Sequence, residues 1–287
     1  MSELNITGPG QVTIGKRCKV ASDVQFVFHS PGSVHISDYC TIGSGVKFVC
    51  DGGDITLGDW TSVHDRSLLL SGKGLEVGQH CWFGQHCVID GTGFMSIGNG
   101  VRVGMYSQLW SHVAAGEQLE GCTLFGTRPV HIEDDVWLVG TCFVAPGVTI
   151  GKQTVALIGS NITKSFPAHS VLAGSPAALK EKMQFYTAVT MEQKWNMLRE
   201  WTSTLAQQFE LTMTEQAGKL IVLARDTGPK PEYVCFVFDE SKAQGELEQY
   251  PAATVCDLAT KKYRKMLTDL EALVLKSLAG NKARFYI

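Results

Sequence analysis

Histidine and cysteine supply most of the side chains in this sequence that could do chemistry near neutral pH. His112 follows Ser111 where a regular residue pattern stops. An imidazole there suits proton transfer, because its unperturbed pKa lies near operating pH. One carboxylate could orient such a histidine, and a second could lie near it. Glu117 is close to it in sequence, and Asp90 stands just before a Gly91-Thr92-Gly93 corner. His80 and His86 are residues of metal-ligand type. Nine cysteines give an odd count, and no Cys-x-x-Cys pair occurs, so metal and disulfide frameworks are both poorly supported.

The elements that must position these groups are written as a repeat. An aliphatic-Gly pair returns at near-constant spacing: Ile14-Gly15, Ile42-Gly43, Leu57-Gly58, Val77-Gly78, Ile97-Gly98 and Ile150-Gly151. A period of six lies inside it, as in Val77-Gly-Gln-His-Cys81-Trp followed directly by Phe83-Gly-Gln-His-Cys87-Val. The first place is aliphatic, the second is often Gly, and the fifth is small. Six residues make one short strand and one corner. Three such units close a triangular coil of roughly 18 to 20 residues, whose apolar face stays exposed until the next coil covers it. Cys18, Cys40, Cys81, Cys87 and Cys142 occupy the fifth place, where they read as small buried hydrophobes. The period covers about residues 11–175 and predicts an all-β parallel β-helix, a hexapeptide-repeat solenoid.

The period breaks once. Ile97 to Ile132 is 35 residues, one coil plus an insertion of about 15, and the excess forms an extruded loop over 110–129. Loops on rigid scaffolds are where function concentrates.

That loop, its closing Pro129-Val130, and the coil Ile132-Glu-Asp-Asp-Val136-Trp-Leu-Val-Gly-Thr-Cys142 resemble the CoA-dependent hexapeptide acyltransferases, a left-handed β-helix family. Galactoside, maltose and xenobiotic O-acetyltransferases are the nearest in pattern. Ile162-Thr-Lys164 and Phe166-Pro-Ala-His-Ser-Val-Leu-Ala-Gly-Ser-Pro176 resemble that family's final coil. The resemblance implies transfer of an acetyl group from acetyl-CoA directly to a hydroxyl or amine, with His112 as general base. Glu117 or a backbone carbonyl would orient the imidazole. Asp90 matches a region where galactoside-type relatives contact the acceptor. Gly140 would supply a backbone N–H to the oxyanion, and Trp137 would wall the pantetheine channel or pack on a neighbouring subunit. Thr163 and Lys164 match the family's phosphate-binding Val-Thr-Lys. Relatives carry a basic residue where this chain has Ala178, which leaves Lys180 or Lys182 to take that place. The resemblance further implies a homotrimer with its site between subunits, and a sugar or nucleotide sugar as acceptor. No metal is expected.

Beyond Leu179 the pattern changes, and the chain divides into a β-helix domain over 1–184 and a small α+β domain of unknown role over 185–287. Thr190-Met-Glu-Gln193 reads as a capping box, with Trp195, Leu198, Thr202, Leu205 and Phe209 following at helical spacing. Lys219–Ala224 and Tyr233–Phe238 read as strands around a Gly-Pro-Lys-Pro turn, and Asp257 or Thr260 is expected to open a helix bearing Tyr263, Met266, Leu267, Leu270 and Leu273.

Two rival readings follow. A γ-class carbonic anhydrase shares the β-helix but needs three converging histidines. His80 and His86 occupy the fourth place of consecutive hexapeptides, so they fall on different sides of the triangle. A non-catalytic scaffold that binds partners through its flat faces predicts no CoA binding. Net charge −3 gives no reason to expect nucleic acid or an acidic membrane as partner. Residues 1–10 show no signal peptide, and no run approaches the ~18 apolar residues of a membrane span, so the expected compartment is the cytoplasm.

Overall fold

In the computed structural model each hexapeptide is one strand and one corner, as the period predicts. The strands stack into three parallel sheets of eight, seven and nine strands, one per face of a triangle, with Ala178–Leu179 turning back antiparallel at the end of the third. The structure describes residues 4–216, 219–226 and 230–287. Two compact units divide between Thr187 and Ala188.

One column shows why the coils stack. Phe26, Phe48, Leu69, Ile89, Leu109, Val144 and Ile162 are register partners on successive strands of the first face, and each is fully buried. Burial of such a side chain stabilises by ~1.5–3 kcal/mol. The alternate residues of these strands point outward, as pleating requires. The fifth-place cysteines are buried as expected except Cys18, which sits in an early coil and is only partly covered. They do more than fill space. Cys40 Sγ donates to Gly58 O at 3.2 Å and Cys81 Sγ to Gly98 O at 3.1 Å, just as Thr61 Oγ1 donates to Gly78 O at 2.9 Å. At these coils the fifth-place donor therefore ties its corner to the next coil, whereas Val101, Val136 and Val148 fill the same place by size alone.

The coils are not uniform. Register partners on the first face are separated by 22, 21, 20 and 20 residues up to Gln108, then by 35 across the insertion and by 18 after it. First-face strands are four residues long from Gln25–Phe28 to Val88–Gly91, but two residues long from Gln108–Leu109 onward. The narrowing leaves a ledge at the corner between the first and second faces. The insertion leaves from that ledge and is itself a hairpin, His112–Ala114 antiparallel to Phe125–Thr127.

The second unit is α+β. Helix Met191–Gln208 starts with the predicted capping box on Thr190 and buries Trp195, Leu198, Thr202 and Leu205. Five strands form one sheet, including Leu220–Arg225 against Glu232–Val237; the expected turn between them lies partly outside the described residues, at Gly228 and Pro229. The last helix does not begin at Asp257 or Thr260. Asp257 ends a strand, Tyr263 lies in another, and the helix is Asp269–Ala279, capped by Thr268. Leu267 has a positive φ of 61°, which breaks the apparent helical run from Tyr263 to Leu270. Among the described residues no helix is long and apolar enough to cross a membrane.

Candidate functional site

The ledge explains how His112 is held. Asp90 is the third residue of strand Val88–Gly91, a position whose equivalents Val27, Val49 and Leu70 face outward. Strand pairing above it stops at Ile89 with Leu109. The base of the hairpin then folds over Asp90 and buries it completely. Asp90 Oδ2 accepts from Ser111 N at 2.8 Å and lies 2.7 Å from His112 Nδ1. Its Oδ1 accepts from Thr92 N at 3.1 Å and Thr92 Oγ1 at 2.5 Å. Ser111 Oγ adds a contact to Oδ2 at 3.1 Å and in turn accepts from Gly93 N at 2.8 Å.

Burial alone pushes the Asp90 carboxyl up, but the hydrogen bonds from Thr92, His112 and Ser111 outweigh it and hold the group below the ordinary carboxylate range. Asp90 is therefore ionised near neutrality and can only accept hydrogen bonds. His112 Nδ1 must carry the proton of that bond, which leaves Nε2 of the neutral ring as the lone-pair nitrogen. The ring is 35% exposed, so that nitrogen can be reached, and Trp110 packs edge-on against it at 5.7 Å. An imidazole whose tautomer is set by a buried carboxylate can accept a proton at Nε2.

The other residues named from the sequence fall in different places. Glu117 lies at the exposed turn of the hairpin and makes no side-chain contact with His112; Asp90 is the carboxylate that orients the ring. Asp90 is in turn too thoroughly covered to touch an acceptor directly. Thr163 and Lys164 are exposed at the same corner as His112, two first-face strands further on, with Lys164 Nζ 5.6 Å above the Phe166 ring. Lys180 is exposed beyond the last short strand. Trp137 and Gly140 do not join them. Trp137 is on the third face, 45% exposed, and Gly140 is on the corner that follows it. Gly140 is buried, and its N–H has no backbone acceptor among the described residues. Ser111 and Thr92 were missed at the sequence level. The signal lay in the Asp-Gly-Thr-Gly corner, where Thr92 can hydrogen-bond the aspartate two residues before it.

His80 and His86 stand on different corners, as expected. His80 stacks on Trp60 and His86 on Tyr106. Among the described residues no three His, Cys, Asp or Glu side chains converge as a metal site.

No family model matches the chain. It is 33% identical over 111 residues to Nodulation protein L of Rhizobium meliloti, which is 38% of this chain and 60% of that protein. It is 34% identical over 113 residues to WcaF of Escherichia coli, again 38% and 60%; the name of that protein assigns it provisionally to acetyl transfer in colanic acid biosynthesis. A protein of Schizosaccharomyces pombe provisionally named an acetyltransferase is 30% identical over 115 residues, 39% of this chain and 55% of its own. Over that stretch the chain resembles the hexapeptide-repeat acyltransferases. This hexapeptide-repeat protein spans only about 55–60% of the length of the curated relatives it matches. Among solved structures, a hexapeptide transferase family protein from Anaplasma phagocytophilum aligns with 73% of this chain and 99% of its own, at 15% identity and a TM-score of 0.41.

Proposed function

We propose that this protein transfers an acetyl group from acetyl-CoA directly to a hydroxyl or amino group of a sugar or sugar-like acceptor. His112 is the general base and Asp90 the residue that positions it. The observation that carries this reading is the 2.7 Å contact between His112 Nδ1 and a fully buried, ionised Asp90. His112 Nε2 takes the acceptor's proton as the new C–O or C–N bond forms and the C–S bond breaks, then returns it to the departing sulfur. Lys164 offers a compact positive charge to the CoA phosphates.

The unpaired N–H of Gly140 suits a developing oxyanion, yet it stands on a different corner from His112. A neighbouring copy resolves this separation. In the homotrimer we propose, the Trp137–Gly140 side of one copy faces the His112 corner of the next. Met105, Tyr106, Phe143 and Ile158 are exposed on and beside the Gly140 corner, and Leu119, Leu124 and Phe125 are exposed on the hairpin, so both surfaces offer apolar area to cover. Cytoplasmic placement fits the same reading.

Acetyl-CoA titration of the full chain, followed by CoA-release assays over a sugar panel, tests the proposal. His112→Ala should lower kcat/KM by ~10²–10⁴-fold while leaving the acetyl-CoA Kd unchanged and the fold intact. Near-normal turnover in that variant removes His112 from the mechanism. Absence of CoA binding in the wild type favours the partner-binding scaffold.

A further inference from the structure

Two cations stand beside His112 that the chemistry above does not use. Lys73 lies in the Gly72-Lys73-Gly74 turn at the same corner, two first-face strands before His112. Its Nζ donates to Thr127 Oγ1 at 3.0 Å, across 54 residues of chain. Thr127 is the direct cross-strand partner of His112 in the hairpin. Arg128 follows at once. Its backbone N–H donates to Ser111 O at 2.9 Å, and its alkyl stem covers Gly147 in the next coil, where an added Cβ would meet Arg128 Cδ at 3.2 Å. Successive residues of an extended segment point to opposite sides. Lys73 accordingly reaches the hairpin base from the coils before it, and the Arg128 side chain lies against the coil after it.

Both cations are exposed, and neither forms an ion pair among the described residues. Asp90 forms no ion pair with either of them; it is buried on the Nδ1 side of the ring, with its oxygens engaged by Thr92, Ser111 and His112. Glu117 and Glu120 belong to the turn at the far end of the hairpin. The cations free to meet a ligand at the base of the hairpin are therefore Lys73 and Arg128.

We infer that the acceptor is an anionic saccharide, its carboxylate or phosphate held by Lys73, with Arg128 as a second cation at the hairpin base. This rests on the acetyltransferase reading. Lys164 lies as many first-face strands after His112 as Lys73 lies before it. A thioester at His112 with its phosphates toward Lys164 leaves the Lys73 side to the acceptor. Charge-assisted contacts of this kind favour a charged ligand over its neutral analogue and weaken as salt screens them.

The experiment compares binding to the full chain, saturated with CoA, of three matched sets. These are glucose, glucuronate and glucose 1-phosphate; galactose, galacturonate and galactose 1-phosphate; and N-acetylglucosamine with its 1-phosphate. In at least one set the anionic member should bind about tenfold tighter than the neutral one at low salt, an advantage that shrinks as salt screens the charge. A preference for carboxylate identifies an acidic sugar as the source, and a preference for phosphate identifies a phosphorylated one. Lys73→Gln should remove most of the advantage. Thr127→Val removes the tether but keeps the charge and should retain it. Equal binding of neutral and anionic members in every set, or an advantage that survives Lys73→Gln, overturns the inference. Acetyl-CoA affinity is read separately: its absence in the wild type overturns the transferase reading, whereas a normal value with no anion preference overturns only this one.

Discussion

Two corners of the same triangle are built in opposite ways. The corner between the second and third faces repeats one device coil after coil. Arg17, Tyr39, Trp60, His80, Asp135, Gln153 and His169 all take a positive φ between 56° and 65° there. Side-chain oxygens of the following coil cap the backbone of the one before, as Asp38 does for Lys16 N at 2.6 Å and Asn99 for Gln79 N at 2.8 Å. Tyr39 stacks on Trp60 at 4.0 Å, and Trp60 on His80 at 5.9 Å. The corner between the first and second faces keeps no such repeat. Its strands shorten, its turn lengths vary, and the hairpin leaves from it. Repetition makes a self-capping ladder in which each side chain serves its neighbour. The irregular corner leaves polar groups without a periodic partner, and those groups gather as Asp90, Thr92, Ser111 and His112.

If that contrast holds, substitutions at the two corners should separate activity from stability. Asp90→Asn has the largest expected effect after loss of His112 itself. An amide in place of the carboxylate no longer dictates the His112 tautomer, so kcat/KM should fall by roughly 10²–10⁴-fold. Stability should also fall by about 1–3 kcal/mol, because donors built for an ionised group lose their acceptor. The pH dependence checks the assignment. The Asp90 pKa is depressed on folding, so its contribution is fully present above the ordinary carboxylate value of 3.8 and is lost as pH falls through the lower folded value. Chemical denaturation followed below about pH 4 should show a shallower acid loss in Asp90→Asn than in the wild type. An unchanged acid limb would place the stabilising carboxylate elsewhere.

Trp60→Ala probes the repeating corner. Loss of two stacked ring pairs should cost about 1–3 kcal/mol and lower the Tm, with acetyl transfer by the remaining folded protein unchanged. A drop in turnover at full folding would mean that the ladder communicates with the site. Glu117→Gln is the smallest change. Activity and Tm should match the wild type in side-by-side assays, and a clear loss of turnover would return the hairpin turn to the mechanism.

The architecture was legible because the signal was redundant. Every coil restates the aliphatic first place and the small fifth place, so no single residue decides the reading, and Leu69, Ile89 and Leu109 stack as the period requires. The break at His112 was legible for the same reason, as a departure from an established phase. The partner of His112 was read less well. Glu117 is near it in sequence, whereas Asp90 is 22 residues away but only one coil below. The last helix of the second unit misled because Tyr263, Met266, Leu267 and Leu270 fit a 3.6-residue period that Leu267 interrupts with a left-handed backbone.

Sequence by itself determined the coil, the place where the coil opens, and the histidine at that opening, because a period of six is a local property of the chain. Tertiary structure alone decided which carboxylate meets that histidine, that Trp137 and Gly140 stand on a different side from it, and that Lys73 reaches the base of the hairpin. Each of these depends on which corner a residue occupies and how far a first-face strand extends. Those are set by the stacking of whole coils, where residues about twenty apart in the chain become nearest neighbours.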